Sequence, residues 1–123
     1  MRIRDNLYHY KFQVQKVIDG DTIVGKLDKG RNNFDEEVHI RMLGIQAPEI
    51  SKAKTAEERV RGYEAKNFLT DLILGKSVIV KTVKANDDDN FGRMLAIVYL
   101  PEKDDLDVNQ HMIDSGHAVV YEA

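Results

Sequence analysis

The stretch from Thr55 to Gly75 carries the period of a long helix, and strand-like segments flank it on both sides. Thr55-Ala56-Glu57-Glu58 has the form of a capping box, and Gly75 that of a C-terminal stop. Between them Ala65, Phe68, Leu69, Leu72 and Ile73 recur at i, i+3, i+4, i+7 and i+8. One stripe therefore faces a core, while Glu57, Glu58, Arg59, Lys66 and Asp71 stay solvated. Gly62 weakens the first half of this helix by roughly 1 kcal/mol relative to alanine. A stripe of this kind is buried against a sheet or another helix, so the flanking segments decide the fold.

From Tyr8 the large apolar residues Tyr8, Tyr10, Phe12 and Val14 alternate with His9, Lys11, Gln13 and Gln15, the two-residue period of a half-buried strand. Val17-Ile18 then runs into Asp19-Gly20-Asp21, where the Asp-Gly pair favours a tight turn, and Thr22 to about Leu27 resumes a second strand. Asp28 to Asp35 is turn-rich and polar. Glu37 to about Ile45 is a third strand, broken at Gly44 and followed by a loop through Pro48. After the helix, Ser77 to Val83 is β-branched and strand-like, Asn86 to Asn90 is a loop, and Arg93 to Leu100 is a fifth strand ended by Pro101. Asp107 caps a short closing helix with Gln110 at its third position, Val108 and Met112 on its buried side and Gly116 at its end, and Ala118 to Tyr121 is strand-prone. The order predicts an α+β, mainly β fold. It is a five-stranded OB-fold Greek-key barrel with one long helix between strands 3 and 4 and a short C-terminal helix.

A chain of 123 residues suits one domain spanning 1–123, and 42% apolar with 32% charged residues is the balance of a globular protein. The net charge of −3 carries no bulk electrostatic footprint for duplex nucleic acid. Any contacts with it must be local. The absence of cysteine excludes disulfides and thiolate metal sites. The first residues, Met1 to Asp5, precede no apolar core of a signal peptide, and no apolar run reaches membrane-spanning length. The expectation is a monomer that, as given, is neither self-exporting nor anchored, cytoplasmic by default.

Three islands sit where strands meet loops: Asp19-Gly20-Asp21-Thr22, Arg41 through Glu49, and Phe91-Gly92-Arg93. Together they offer carboxylates, a group able to activate water and two guanidiniums, the parts needed for attack on a phosphodiester. Carboxylates hold a hard divalent cation, and arginines present planar forks of donors to phosphate oxygens. Asp87-Asp88-Asp89 reads as a solvated loop rather than a second metal site. His9, His39, His111 and His117 have no metal-ligand spacing and stay outside the site. Tyr8, Tyr10 and Phe12 read as core packing rather than as a stacking platform.

V-I-D-G-D-T-I at 17–23, I-R-M-L-G-I-Q-A-P-E at 40–49, G-Y-E-A-K-N-F-L at 62–69, F-G-R-M-L-A at 91–96 and V-N-Q-H-M-I-D-S-G-H-A at 108–118 resemble, in order and spacing, the staphylococcal nuclease (thermonuclease) family. That resemblance covers most of the chain. It implies an OB-fold enzyme that cleaves DNA and RNA with calcium. It implies Asp21 as a calcium ligand, Arg41 and Arg93 as the phosphate-binding arginines, Glu49 as the group that activates or positions water, and Asp19 as an outer carboxylate at most. Ala47 stands where the family offers a backbone carbonyl to the metal. Position 46 departs from the pattern: Gln46 replaces an aspartate ligand, so one formal charge is gone and metal affinity should fall. The end departs too, with Tyr121 alone available near the nucleotide and the final family helix shortened or missing. The expected ligand is DNA or RNA, single-stranded in preference. Gln46 leaves open a second reading, a weakened or inactive relative that binds nucleic acid or a protein partner.

Overall fold

The computed structural model describes residues 9–82 and 93–121. In chain order these form β1 (His9–Asp19), β2 (Thr22–Asp28), β3 (Phe34–Met42), β4 (Ile45–Gln46), α1 (Ala56–Ile73), β5 (Ser77–Thr82), β6 (Arg93–Leu100), a 3-10 turn (Pro101–Lys103), β7 (Leu106–Asp107), α2 (Val108–Asp114) and β8 (Val119–Val120). Tyr8, Val83, the acidic triplet Asp87-Asp88-Asp89, Phe91 and Gly92 lie outside the described residues.

β1, β2 and β3 meander antiparallel, β5 pairs with the other side of β1, and β6 follows β5 antiparallel. A parallel pairing of β6 with β3 then closes the barrel. This is the OB-fold barrel that the segment order predicts, with α1 between its third and fourth strands, and closure removes the sheet edges that an open arrangement would expose. Phe12, Val14, Ile23, Ile40, Met42, Val80, Val98 and Leu100 are buried in the core, joined by Ala65, Leu69 and Ile73 of α1 and by Val108 and Met112 of α2. Each large apolar side chain so buried contributes roughly 1.5–3 kcal/mol.

The strands differ from their simple periods where the barrel has to bend. In β1 the buried positions change from even to odd: Phe12 and Val14 are inside, the register shifts between Val14 and Lys16, and Val17 is inside. In β3 the register with β2 shifts between Gly25 and Leu27, and Glu37 adopts φ +52°. A bulge of this kind increases local twist. It also lets Phe34 and Asp35, expected in the preceding turn, start the strand. The third strand ends at Met42 rather than at about Ile45. Gly44, at φ +81°, turns the chain where an L side chain would be strained, and β4 leaves the barrel to pair with β8, Ile45 opposite Val120 and Gln46 opposite Val119.

Both helices start as expected but complete their caps differently. Thr55 Oγ1 accepts from the Glu58 N–H at 3.0 Å, while Glu58 Oε1 accepts from the Lys54 N–H at 3.3 Å, one residue before the cap. Asp107 accepts from the Gln110 N–H at 3.0 Å, and the Gln110 side chain donates forward to Asp114 at 2.9 Å. Beside it Asn109 is buried, at 4% exposure. Its Oδ1 accepts from the Val98 N–H at 3.0 Å, and its Nδ2 donates to the carbonyls of Leu43 at 2.8 Å and Ala96 at 3.2 Å. One side chain thus ties α2 to β6 and to the turn that launches β4. No described helix is long and apolar enough to cross a membrane.

Candidate active site

The tip of the β1–β2 hairpin, with Asp19 opposite Thr22, is the first wall of the site. Gly20 is not there for a left-handed backbone, since its φ is not positive. It is there for room: a Cβ would lie 2.7 Å from the Cβ atoms of both Ala47 and Ala65. The tip therefore wedges between α1 and the segment after β4, and Asp21 reaches the latter. Its carbonyl accepts from the Met42 N–H at 2.8 Å, which docks the tip on the end of β3.

The Asp21 side chain, on a residue only 6% exposed, gathers the neighbouring elements. Oδ2 accepts from the Ala47 N–H at 2.8 Å and meets Arg41 Nη1 at 3.1 Å, and Oδ1 accepts from the Thr22 hydroxyl at 3.0 Å. Arg41 is fixed through one nitrogen. Nη1 also donates to the carbonyls of Ile45 at 3.1 Å and Met42 at 3.3 Å. The opposite edge of the fork, Nε and Nη2, has no acceptor among the described residues, and the Tyr121 ring centroid lies 5.9 Å from Cζ. A guanidinium held this way presents a pre-set pair of donors to a planar or tetrahedral anion.

Asp19 stands beside this pair, its Oδ1 accepting from the Asp21 N–H at 3.1 Å. Burial, and then the adjacent Asp21 carboxylate, push the Asp19 carboxyl up from 3.8 to about 7, against the opposing pull of the Asp21 N–H and the Thr22 hydroxyl. Between those two values the folded protein binds more protons at this group than the unfolded chain does, so its ionisation costs stability as pH rises. In chelator, the melting temperature of Asp19→Asn relative to wild type is expected to rise steadily from pH 4 to pH 7. A flat difference across that window contradicts the shift.

Gln46 is half-buried and is held in backbone register with Val119. With Ala47, Pro48 and Glu49 it lines a groove of about 360 Å³ that also takes in Glu58, Arg61 and His117. The half-buried Glu49 carboxylate forms no hydrogen bond or ion pair among the described residues. Its backbone is set by α1: a Cβ on Gly62 would lie 2.8 Å from the Glu49 carbonyl oxygen and 2.8 Å from Ile50 Cγ1. Gly62, which costs the helix stability, therefore lets the Glu49–Ile50 segment lie directly on it. Arg93 opens β6 with its backbone opposite His39, two residues before Arg41.

Of the residues expected from the sequence, Asp21, Arg41 and Ala47 are in direct contact, Gln46 and Glu49 share the adjoining groove, and Arg93 begins the strand that closes the barrel beside β3. The Asp21 carboxylate is bound by the Ala47 N–H, and the Gln46 side chain lines the adjoining groove. Among the described residues, no three His, Cys, Asp or Glu side chains gather as a metal site. Sequence reasoning missed Asn109 and the packing roles of Gly20 and Gly62, and it set His117 aside. The one available signal was Gly62, since a glycine inside a helical pattern usually has a packing reason.

A family model described as staphylococcal nuclease homologue matches residues 39–123. The chain is 30% identical to an uncharacterised protein of Methanocaldococcus jannaschii, over 95% of this chain and 62% of the relative. It is 36% identical to an uncharacterised endonuclease of Escherichia coli O157:H7, over 89% of this chain and 60% of the relative. To a thermonuclease of Staphylococcus hyicus it is 33% identical, over 77% and 52%. The chain thus spans about six tenths of the length of the first two relatives. The family match begins in β3 just before Arg41 and runs through the Glu49 segment, the long helix and the strand that closes the barrel, and on that match the chain belongs to the staphylococcal nuclease family.

Proposed function

We propose that this chain is a calcium-dependent nuclease that hydrolyses phosphodiester bonds of DNA or RNA, single strands in preference to duplex. The observation that carries this reading is the contact of Asp21, Arg41 and Ala47 at the hairpin tip, beside a Glu49 carboxylate in the adjoining groove that has no partner among the described residues. Asp21, the Gln46 side-chain oxygen and the Ala47 carbonyl would hold the calcium, which when bound polarises a phosphate oxygen. Glu49 positions a water and takes its proton as the oxygen attacks phosphorus. Arg41 donates through its open edge to the phosphate, and with Arg93 it neutralises the charge that builds there. A net charge of −3 argues for single strands over duplex.

A second reading, a relative that binds without cutting, draws on Gln46 and on the Arg41 guanidinium already lying against Asp21. Calcium calorimetry beside cleavage of single-stranded DNA separates the two. Gln46→Asp restores a ligand charge and is expected to tighten calcium roughly tenfold and to speed an activity the wild type already has. Cleavage that persists in excess chelator sinks the calcium mechanism. Activity that appears only in Gln46→Asp establishes the second reading.

A further inference from the structure

The groove that holds Glu49 continues along the first half of α1 to β8, and two side chains outside the hydrolytic set line it, Arg61 and His117. Arg61 is exposed and forms no ion pair among the described residues. Its neighbour Glu58 lines the same groove but makes no ion pair with it, one Glu58 oxygen accepting instead from the Lys54 N–H at the helix start. His117 is fixed by a stack of rings: its centroid lies 4.5 Å from that of Phe68 at 32°, and Phe68 meets His111 at 5.5 Å and 35°. The rest of the lining includes the small residues Ala47, Gly116 and Ala118. At about 360 Å³ the groove is within the size range of sites that hold one small ligand, roughly 300–1,000 Å³.

A free guanidinium and an immobilised aromatic ring are the two elements by which proteins hold single strands, the first on the backbone and the second on a base. Here both sit in the same groove as the group proposed to activate water. We propose that this groove is a subsite for the nucleotide adjoining the scissile phosphate, with Arg61 on the neighbouring phosphate and the His117 ring stacked on the base. The proposal rests on the nuclease reading for which phosphate is cut, but its contacts are measurable without cutting.

The test is fluorescence anisotropy of a labelled oligothymidylate of about eight nucleotides, in calcium, with Glu49→Gln as the background to prevent turnover. Arg61→Ala is expected to weaken binding several-fold and to lower the slope of log K against log salt by about 0.7 between roughly 50 and 200 mM. His117→Ser is expected to weaken binding about tenfold with the slope unchanged, and His117→Phe to restore it. Because His117 also packs on Phe68, each variant is checked for cooperative unfolding; Arg61 is exposed, and its arm of the test stands independently. An unchanged salt slope in Arg61→Ala, wild-type binding in His117→Ser, or no binding of the oligonucleotide at all overturns the subsite. Cleavage by the protein with Glu49 intact is scored separately. A protein that binds through Arg61 and His117 without cutting keeps the subsite and loses the nuclease reading, and one that cuts with neither contact does the reverse.

Discussion

Asn109→Ala is expected to lower the unfolding free energy by about 3 kcal/mol. The three groups it serves are not equal. The Ala96 carbonyl keeps the Leu43 N–H at 2.8 Å, so it stays satisfied. The Val98 N–H, however, points at Asn109 from within the barrel wall, and without the acceptor it is left buried and unpaired at a cost of about 1–3 kcal/mol. The Leu43 carbonyl loses its donor as well, and a cavity opens at a residue 4% exposed. Asn109→Asp does not rescue the loss. A carboxylate can still accept from Val98, but its second oxygen faces the carbonyls of Leu43 and Ala96 where the amide had donated. Urea titration should give a lower midpoint with an unchanged slope for both variants. A stable Asn109→Asp would mean that the acceptor alone matters.

The long helix was legible because its period and both of its ends agree: Thr55 caps, the Ala65–Leu69–Ile73 stripe is buried, and Gly75 follows the end. The barrel was legible as an order of strands and illegible as a shape. Nothing local in Gln15-Lys16 or Glu36-Glu37 announces a bulge, because the bulges answer the closure of β3 on β6. The candidate site divides the same way. Residue types marked out the islands that hold Asp21, Arg41 and Glu49, and the family resemblance added Gln46 and Ala47, but neither gave which atoms meet. Ala47, expected to offer its carbonyl, also donates its N–H to Asp21 from 26 residues away. Asn109 sits in the first turn of a short helix, where asparagine ordinarily faces water. Only the packing of that helix on β6 makes it a clamp.

On the nuclease reading proposed above, Gly62→Ala is expected to lower kcat about a hundredfold, on the scale of a 1 Å misplacement in an active site, while calcium affinity and KM stay near the wild-type values. Local helix propensity favours the substitution by about 1 kcal/mol, so the helix alone has no objection to a methyl group. The objection comes from the segment packed on it. The new Cβ would lie 2.8 Å from the Glu49 carbonyl oxygen and 3.1 Å from its carbon, and only the third contact, Ile50 Cγ1 at 2.8 Å, belongs to a side chain that can rotate away. The backbone that carries Glu49 has to move off the helix. Asp21, Gln46 and Ala47 are anchored elsewhere, by the Asp21–Ala47 hydrogen bond and by the β4–β8 pairing, so the proposed calcium and phosphate contacts need not follow. Calorimetry and kinetics should therefore diverge in this variant, with binding retained and turnover lost. A Gly62→Ala protein with wild-type kcat would show that the segment shifts without moving the carboxylate, and would remove Glu49 as a position-sensitive base. Parallel losses in calcium affinity and kcat would instead mean that the hairpin tip and the Glu49 segment move as one body, coupled through the contact of Gly20 with Ala47 and Ala65.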